Sequence, residues 1–459
     1  MERDTRASLP VAARRPFVIV LPDSHRRRLL AAASASLLSA CHTVQGERVP
    51  GDDVGSFRLT ADFEPQAAIW LGWDNGHETL TLDLAQALQP FVPLRLLVRD
   101  DTMVDAARSA LQRRGLGHDT IRFMRDPLAS YFVRDSAVFA VGAGARLGVI
   151  DFRWSQYGLA AWCRHRHAGE PARLAACSAA VETERDGLDR AIAAHTGARL
   201  FTSRLAMEGG GVECNGRGLL IANEALWLSR NPGLDRAAIE AELLRLPGLR
   251  KVLWVPEGLA QDPLHRSTIV GHHVSWGTGG HTDEFVRFAD ARTVLLAWPE
   301  DSEAAVHPVA RLNRQRMQRC FDVLSAATDA DGQPLRVLKV PLPKVIERRV
   351  FLSAAADVAW SKEWTADFFP PSEKRRQGDP VLQVASSSYL NFVVANGVVV
   401  LPDYRPHGTP KVWQDRVVRI FETAFPGRQL RFVDALGANW VGGGAHCATL
   451  SEPRVDGPA

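Results

Sequence analysis

Three acidic residues, Asp135, Glu208 and Asp283, stand 73 and 75 residues apart, and each opens the same local pattern. Asp135 precedes Ala137-Val138-Phe139-Ala140-Val141, a Gly142-Ala143-Gly144 turn and Leu147-Gly148-Val149-Ile150. Glu208 precedes Gly211-Val212-Glu213-Cys214, an Asn215-Gly216 turn and Gly218-Leu219-Leu220-Ile221-Ala222. Asp283 precedes Phe285-Val286-Arg287-Phe288, a turn near Asp290 and Thr293 to Trp298, and a fourth copy opens at Ser388, with its turn at Asn396-Gly397. Apolar runs of strand length split by Gly, Asn and Asp predict β-hairpins, and Asn-Gly suits the type I′ turn.

Helical apolar spacing fills the intervals: Thr79 to Phe91, Asp101 to Arg114, Asp186 to His195, Asp235 to Leu246, Ala304 to Ala327 and Lys411 to Ala424. Thr409 and Pro410 read as N-cap and first helical position of the last. Phe63 to Trp73 and Leu94 to Val98 read as strands, and Phe368 to Asp379, with its paired prolines and charge run, as a surface insertion. Hairpin-plus-helix units cannot each bury their own apolar face, so they must share a core, and repetition around an axis achieves that. The polar residue opening each hairpin then faces the axis, which gathers Asp135, Glu208, His281 and Asp283 in one central site.

The stretch Val441-Gly442-Gly443-Gly444-Ala445-His446-Cys447 adds a thiol near the C-terminus. Three residues without Cβ before a cysteine let another molecule approach it closely, which makes Cys447 the candidate nucleophile. His446 is its neighbour, but adjacent residues on a strand point to opposite faces, so His281 is the better partner. Arg134, beside Asp135, reads as a structural ion-pair partner. Met207, Trp70 and Trp73 read as core.

At 459 residues, 46% hydrophobic and 23% charged, the chain has ample apolar material for a core. The formal charge of +3 is concentrated in the first forty residues, where seven Arg face three acids. Beyond them no basic arm with interleaved aromatics occurs, and no nucleic-acid partner is expected. Arg26-Arg27-Arg28, the apolar run Leu29 to Ala40 and the ending Leu38-Ser39-Ala40-Cys41 have the three regions of an export signal. The ending resembles the bacterial lipoprotein signal, with Cys41 the lipidated residue. The expected organisation is a signal over 1–40, a linker over 41–59, a single catalytic domain over 60–453 and a tail over 454–459. Membrane contact is expected through the lipid anchor alone. The location is then periplasmic or membrane-anchored, and cytoplasmic if the leader is not a signal. Cys163, His165, His167 and Cys177 fit no standard zinc spacing and read as a solvated loop.

Together Phe132-Val133-Arg134-Asp135, Met207-Glu208-Gly209-Gly210, Gly280-His281-Thr282-Asp283-Glu284, Ser388-Tyr389-Leu390-Asn391-Phe392 and Gly442-Gly443-Gly444-Ala445-His446-Cys447 resemble the agmatine deiminase and bacterial peptidylarginine deiminase family. Glu64-Pro65-Gln66 and Ser229-Arg230-Asn231-Pro232 fit the same pattern. The resemblance implies an α/β fold, the five-bladed pseudo-symmetric α/β propeller of guanidine-modifying enzymes. It also implies a nucleophile at Cys447, a general acid/base at His281, guanidinium-gripping carboxylates at Asp135 and Asp283, and a Glu208 that contacts the substrate or holds His281. Phe132 stands in the substrate-binding segment where the family usually has Trp, Gly211 where it has Asn, and Gly280 where it has Asp. The implied reaction is deimination of a guanidino small molecule through a covalent thiouronium. Agmatine, giving the putrescine precursor N-carbamoylputrescine, is the first choice, and citrulline-forming action on peptidylarginine or free arginine is the alternative. An inactive exported guanidine-binding lipoprotein is a further alternative. No metal or organic cofactor is expected, since two carboxylates, a thiol and an imidazole suffice to orient and attack a planar cation.

Overall fold

The computed structural model describes residues 54–74, 76–117, 120–179, 187–354 and 363–455. The expected signal over 1–40 and its Cys41 lie outside them. Five sheets share one plan: an antiparallel hairpin whose second strand runs parallel to a third. The first unit pairs Val138–Gly142 with Arg146–Arg153, then with Arg199–Ala206. The second uses Glu213–Cys214, Leu219–Asn223 and Lys251–Val255, and the third Val286–Phe288, Thr293–Trp298 and Arg336–Pro341. The fourth uses Val393–Ala395, Val398–Pro402 and Gln429–Val433. A parallel pair needs a crossover, and helices such as Leu188–Thr196, Arg236–Leu243 and Lys411–Ala424 supply it.

The fifth unit is built from both ends of the folded chain. Its hairpin partners are Thr449–Pro453 and Gln66–Gly72, with Leu94–Val98 and Ile121–Arg125 added in parallel. Glu452 seals this junction: it accepts from Trp70 Nε1 at 2.8 Å and from Arg95 Nε and Nη2 at 2.5 and 2.6 Å.

The core follows the same ring. Ile150 and Phe152 of the first unit pack with Leu220 and Trp227 of the second. Leu219 and Val255 of the second meet Phe285 and Leu295 of the third and Phe392 and Val399 of the fourth. Val393 and Val400 of the fourth join Ile69 and Leu96 of the fifth, and Trp70 and Leu450 of the fifth join Phe139 and Val149 of the first. Each unit's apolar face is therefore buried by its neighbours, as the repeat requires. The architecture is the five-bladed α/β propeller.

Several expectations need correction. The linker does not extend to residue 59: Phe57–Leu59 is a strand paired with Val138–Gly142, and Phe57 and Leu59 are buried. The single helix expected over Ala304 to Ala327 is two, Asp301–Val306 and Pro308–Ser325, because Pro308 cannot donate to the turn before it and starts a new helix instead. Pro410, not Thr409, is the N-cap of Lys411–Ala424, and Thr409 Oγ1 accepts from Lys344 N. The segment around Cys163 is helical, Leu159–Arg166 followed by Pro171–Ala179, and a disulfide joins Cys163 to Cys177. The insertion reaches beyond 368–379 as well, since Leu264–Val270, His273–Thr278, Glu347–Phe351 and Pro380–Val384 form a separate four-stranded sheet.

Removing one member of a buried, hydrogen-bonded ion pair leaves the other uncompensated, at a cost of about 3–5 kcal/mol. Glu452→Ala is expected to lose roughly 3 kcal/mol in urea unfolding, against under 0.5 kcal/mol for an exposed control such as Lys411→Ala.

Candidate functional site

Tight turns immediately before the hairpins carry the site. Val133–Ser136, Gly209–Gly211 and Thr282–Glu284 are single 3-10 turns, so Asp135, Gly210 and Asp283 reach the axis from three successive units. Their close approach depends on Gly210: a Cβ there would lie 2.5 Å from His281 Nδ1, 3.0 Å from Asp135 Oδ1 and 3.2 Å from Asp283 Oδ2. Gly210 N donates to Asp135 Oδ1 at 3.1 Å, and Thr282 Oγ1 donates to Gly210 O at 3.0 Å, which locks the turns together.

Cys447, just before the closing strand, is buried. Asn391 Nδ2 donates to its Sγ at 3.1 Å and to Glu284 Oε1 at 2.9 Å, while the thiol lies 3.5 Å from Asp283 Oδ2. Asn391 Oδ1 accepts the His446 amide at 2.8 Å, so one amide side chain fixes both backbone and sulfur of the nucleophile segment. His446 is turned to Asp283 Oδ2 at 2.7 Å and Asp62 Oδ2 at 2.6 Å, so it steadies a carboxylate instead of forming a dyad with its neighbouring thiol.

His281 Nε2 lies 3.2 Å from Glu208 Oε2, and its Nδ1 lies 3.7 Å from Asp135 Oδ1. Glu208 is in turn held by Arg230 Nε at 2.8 Å and by Ser155 Oγ at 3.1 Å. Glu208 thus bridges Arg230 and His281. Asp135 receives the Tyr157 hydroxyl at 2.9 Å. Arg134 is structural, donating to Asp62 Oδ1 at 3.2 Å and to Thr449 O at 3.1 Å.

Two buried polar atoms at this junction, His281 Nδ1 and Asp283 Oδ1, have no hydrogen-bond partner among the described residues. Buried polar groups are normally satisfied, and Asp283 Oδ1 is an acceptor left over for a donor. A cavity of about 350 Å³ is lined by Asp135 and Cys447 and walled by Trp73, Tyr131, Phe132, Trp154, Tyr157 and Trp276. Phe132 lies in this wall, its ring against the backbone of Gly443. Trp73, read as core, is buried but also part of the wall.

Burial and the charges of Asp283, Glu284 and Asp135 push the Cys447 thiol well above its ordinary range. Glu284 is raised well above the carboxylate range by burial and by Asp283 and Asp262. Burial, aided by Asp283 and Glu208, lifts Asp135 to about 6 against the pull of His281. Burial opposes charge on His281, but Asp135 and Glu208 outweigh it and raise the ring to about 9. Burial would likewise raise Glu208, yet Arg230 and His281 bring it down to about 2. The free protein therefore holds a neutral thiol, a protonated imidazole and a carboxylate poised to titrate. Asp283, Glu284 and Cys447 could together face a metal ion, all within 4.8 Å, but Asp283 Oδ2 is already bonded to His446 Nδ1 and Glu284 Oε1 to Asn391 Nδ2.

The structure brings Cys447, His281, Glu208, Asp135, Asp283 and Phe132 to one place. Composition and spacing missed Asn391's grip on sulfur, Asp62, and the loop Ser155-Gln156-Tyr157-Gly158. In that loop Gln156, Tyr157 and Gly158 all have positive φ, of 54°, 56° and 73°. Consecutive left-handed residues are strained, and strain of this kind collects at functional sites. Two departures from the family pattern also find a cause. Gly280 has φ +98° and a Cβ there would lie 2.5 Å from Asn223 Nδ2, while a Cβ on Gly211 would lie 2.5 Å from Met207 Sδ. Asp262 covers the local need at Gly280, accepting from Gly280 N at 3.0 Å and His281 N at 2.9 Å.

Residues 58–453 match the sequence pattern of the Porphyromonas-type peptidyl-arginine deiminases. The agmatine deiminase of Ectopseudomonas mendocina is 26% identical over 421 residues, spanning 87% of this chain and 96% of its own. That of Pseudomonas fluorescens is 25% identical over 410 residues, with 86% and 95% covered. The solved agmatine deiminase of Enterococcus faecalis superposes with a TM-score of 0.63 at 22% identity, over 87% of this chain and 97% of that one.

Restoring the family residue at position 280 is expected to be harmful here. Gly280→Asp puts a Cβ on a backbone of φ +98° and against Asn223, and should lower stability by about 2 kcal/mol or more in chemical denaturation.

Proposed function

Because this chain belongs to the Porphyromonas-type peptidyl-arginine deiminase family, we propose that it hydrolyses agmatine to N-carbamoylputrescine and ammonia. The observation that carries this is a buried thiol 3.5 Å from Asp283 Oδ2 in a cavity that Asp135, a carboxyl lifted to about 6, also lines.

A guanidinium ion is planar and presents paired N–H donors, so two carboxylates hold it bidentately with its central carbon over the sulfur. Its positive charge also offsets the acids that keep Cys447 neutral, so substrate binding favours loss of the thiol proton to solvent and a thiolate at the sulfur. Sulfur attacks the central carbon and forms a C–S bond, giving a neutral tetrahedral adduct. His281 then gives its proton to one amino group, the C–N bond breaks and ammonia leaves, with a thiouronium cation remaining. Water replaces the ammonia, loses a proton to the now neutral His281 and attacks the same carbon. The C–S bond breaks, the ureido product departs and the thiol is restored. Glu208 and Arg230 keep His281 aligned throughout, and the aromatic walls exclude bulk water.

The rest of the cavity supports agmatine as the substrate. Apolar rings suit its methylene chain and Asp74 suits its terminal ammonium. Arg153, which could have received a carboxylate, is exposed and outside the cavity lining. Arg99 favours arginine as a second substrate, since it also lines the cavity, 3.6 Å from Asp74. We further read the protein as an exported lipoprotein carried on Cys41. The Cys163–Cys177 disulfide supports an oxidising compartment, and mass spectrometry of the mature N-terminus tests it.

Ammonia release from agmatine, free arginine and a C-terminal-arginine peptide tests the assignment. Agmatine should give the highest kcat/KM and Cys447→Ser should abolish turnover, whereas release that survives the substitution removes Cys447 from the chemistry. Activity needs Asp135 ionised and His281 protonated, so kcat/KM should fall below pH about 6 and again above pH about 9. Asp74→Asn should raise KM for agmatine about tenfold with kcat little changed, as expected of a contact equal in ground and transition states. An unchanged KM would separate Asp74 from the ammonium.

A further inference from the structure

A second group of ligand-type side chains lies outside the catalytic ring. His273 begins the strand His273–Thr278, His307 caps the helix Pro308–Ser325 and Glu347 begins the strand Glu347–Phe351. Remote in sequence, they converge: Glu347 Oε2 is 3.2 Å from His273 Nε2 and 3.3 Å from His307 Nε2, and all three ligand atoms lie within 4.8 Å of one another. The imidazoles meet edge to face at 5.1 Å between centroids.

From this arrangement we propose a binding site for a zinc-class divalent cation, with His273, His307 and Glu347 as its protein ligands. Zinc takes imidazole nitrogen and carboxylate oxygen at about 2.0–2.1 Å in a tetrahedron, whose edges are then roughly 3.3–3.4 Å. The two oxygen-to-nitrogen separations already have that length. Three protein ligands leave the fourth position to water, and the side chains, 12, 18 and 33% exposed, form a shallow site that solvent and ions reach.

The hydrogen bonding of His273 points the same way. Its Nδ1 lies 3.1 Å from Val270 O, and a donor there leaves a lone pair on Nε2, the second-shell pattern that orients metal-binding histidines. His307 carries a cost: its Nδ1 accepts the Val309 amide at 3.2 Å, so ligation through Nε2 moves the ring proton to Nδ1 and releases that cap bond. The site is therefore of micromolar and not structural-zinc affinity. Its ligands come from the insertion sheet and from the helix of the third unit, so an occupied site ties the two together.

The test uses the full chain with Cys447→Ser, so that the catalytic thiol cannot contribute, after chelator treatment. Isothermal titration with zinc should give one site at Kd about 10 μM or tighter, and cobalt(II) should develop the intense visible bands of tetrahedral coordination. His273→Ala and His307→Ala should each weaken zinc binding at least 100-fold, and Glu347→Gln at least tenfold. The same substitutions in the chain with Cys447 intact should leave ammonia release unchanged, which establishes that they fold. Zinc should raise Tm in the parent and not in the variants. Absence of one-site binding, six-coordinate cobalt spectra, or binding that survives both histidine substitutions would overturn the proposal.

Discussion

Trp70 lies opposite Leu450 in the ladder between Gln66–Gly72 and Thr449–Pro453, and through that pairing the two ends of the folded chain become one sheet. Open the ladder and the apolar faces of the first and fourth units lose the neighbour that buries them, since Trp70 and Leu450 belong to the cluster reaching Phe139 and Ile69 to the one reaching Val393. Cys447 stands two residues before the closing strand. Position of the sulfur and closure of the ring are thus one event, and Arg134 binds them further by donating to Thr449 O and Ser451 Oγ.

Inside the ring the second constraint is charge. Asp62, Asp135, Glu208, Asp283 and Glu284 are gathered in a low-dielectric centre, where uncompensated carboxylates are costly. Each has a distinct solution. Glu208 takes Arg230, Asp62 takes Arg134 and Arg287, Asp283 takes His446, and Glu284 accepts from Asn391. Asp135 has a tyrosine hydroxyl, a backbone amide and a distant imidazole, which leaves it the acid whose charge is least secured. The incoming cation completes this balance.

Much of this was legible in the sequence because the information is periodic. Polar openers at matched spacing announced the repeat, and the repeat placed Asp135, Glu208 and Asp283 at the axis before any coordinate. The glycines before Cys447 marked close approach, and Gly210 meets the same need, with three site atoms around the space its missing Cβ would fill. What escaped was aperiodic. Asn391 resembles any turn residue until its Nδ2 is seen on the sulfur, and Asp62 sits in a short connection with no pattern of its own. The loop over Gln156 to Gly158 is held left-handed by tertiary contacts that local propensity opposes. The charge-rich span around 368–379 read as a surface excursion because pairing between Leu264–Val270, His273–Thr278, Glu347–Phe351 and Pro380–Val384 is long-range and leaves only short strands.

Placing the nucleophile beside the closing strand also sets a clock on biosynthesis. Asp62, Asp135, Glu208, Asp283 and Glu284 all leave the ribosome before Cys447 does, so the acids exist as chain before the sulfur they surround. Guanidine chemistry stays silent until Thr449–Pro453 has docked on Gln66–Gly72, because that late pairing is what carries the thiol to its acids.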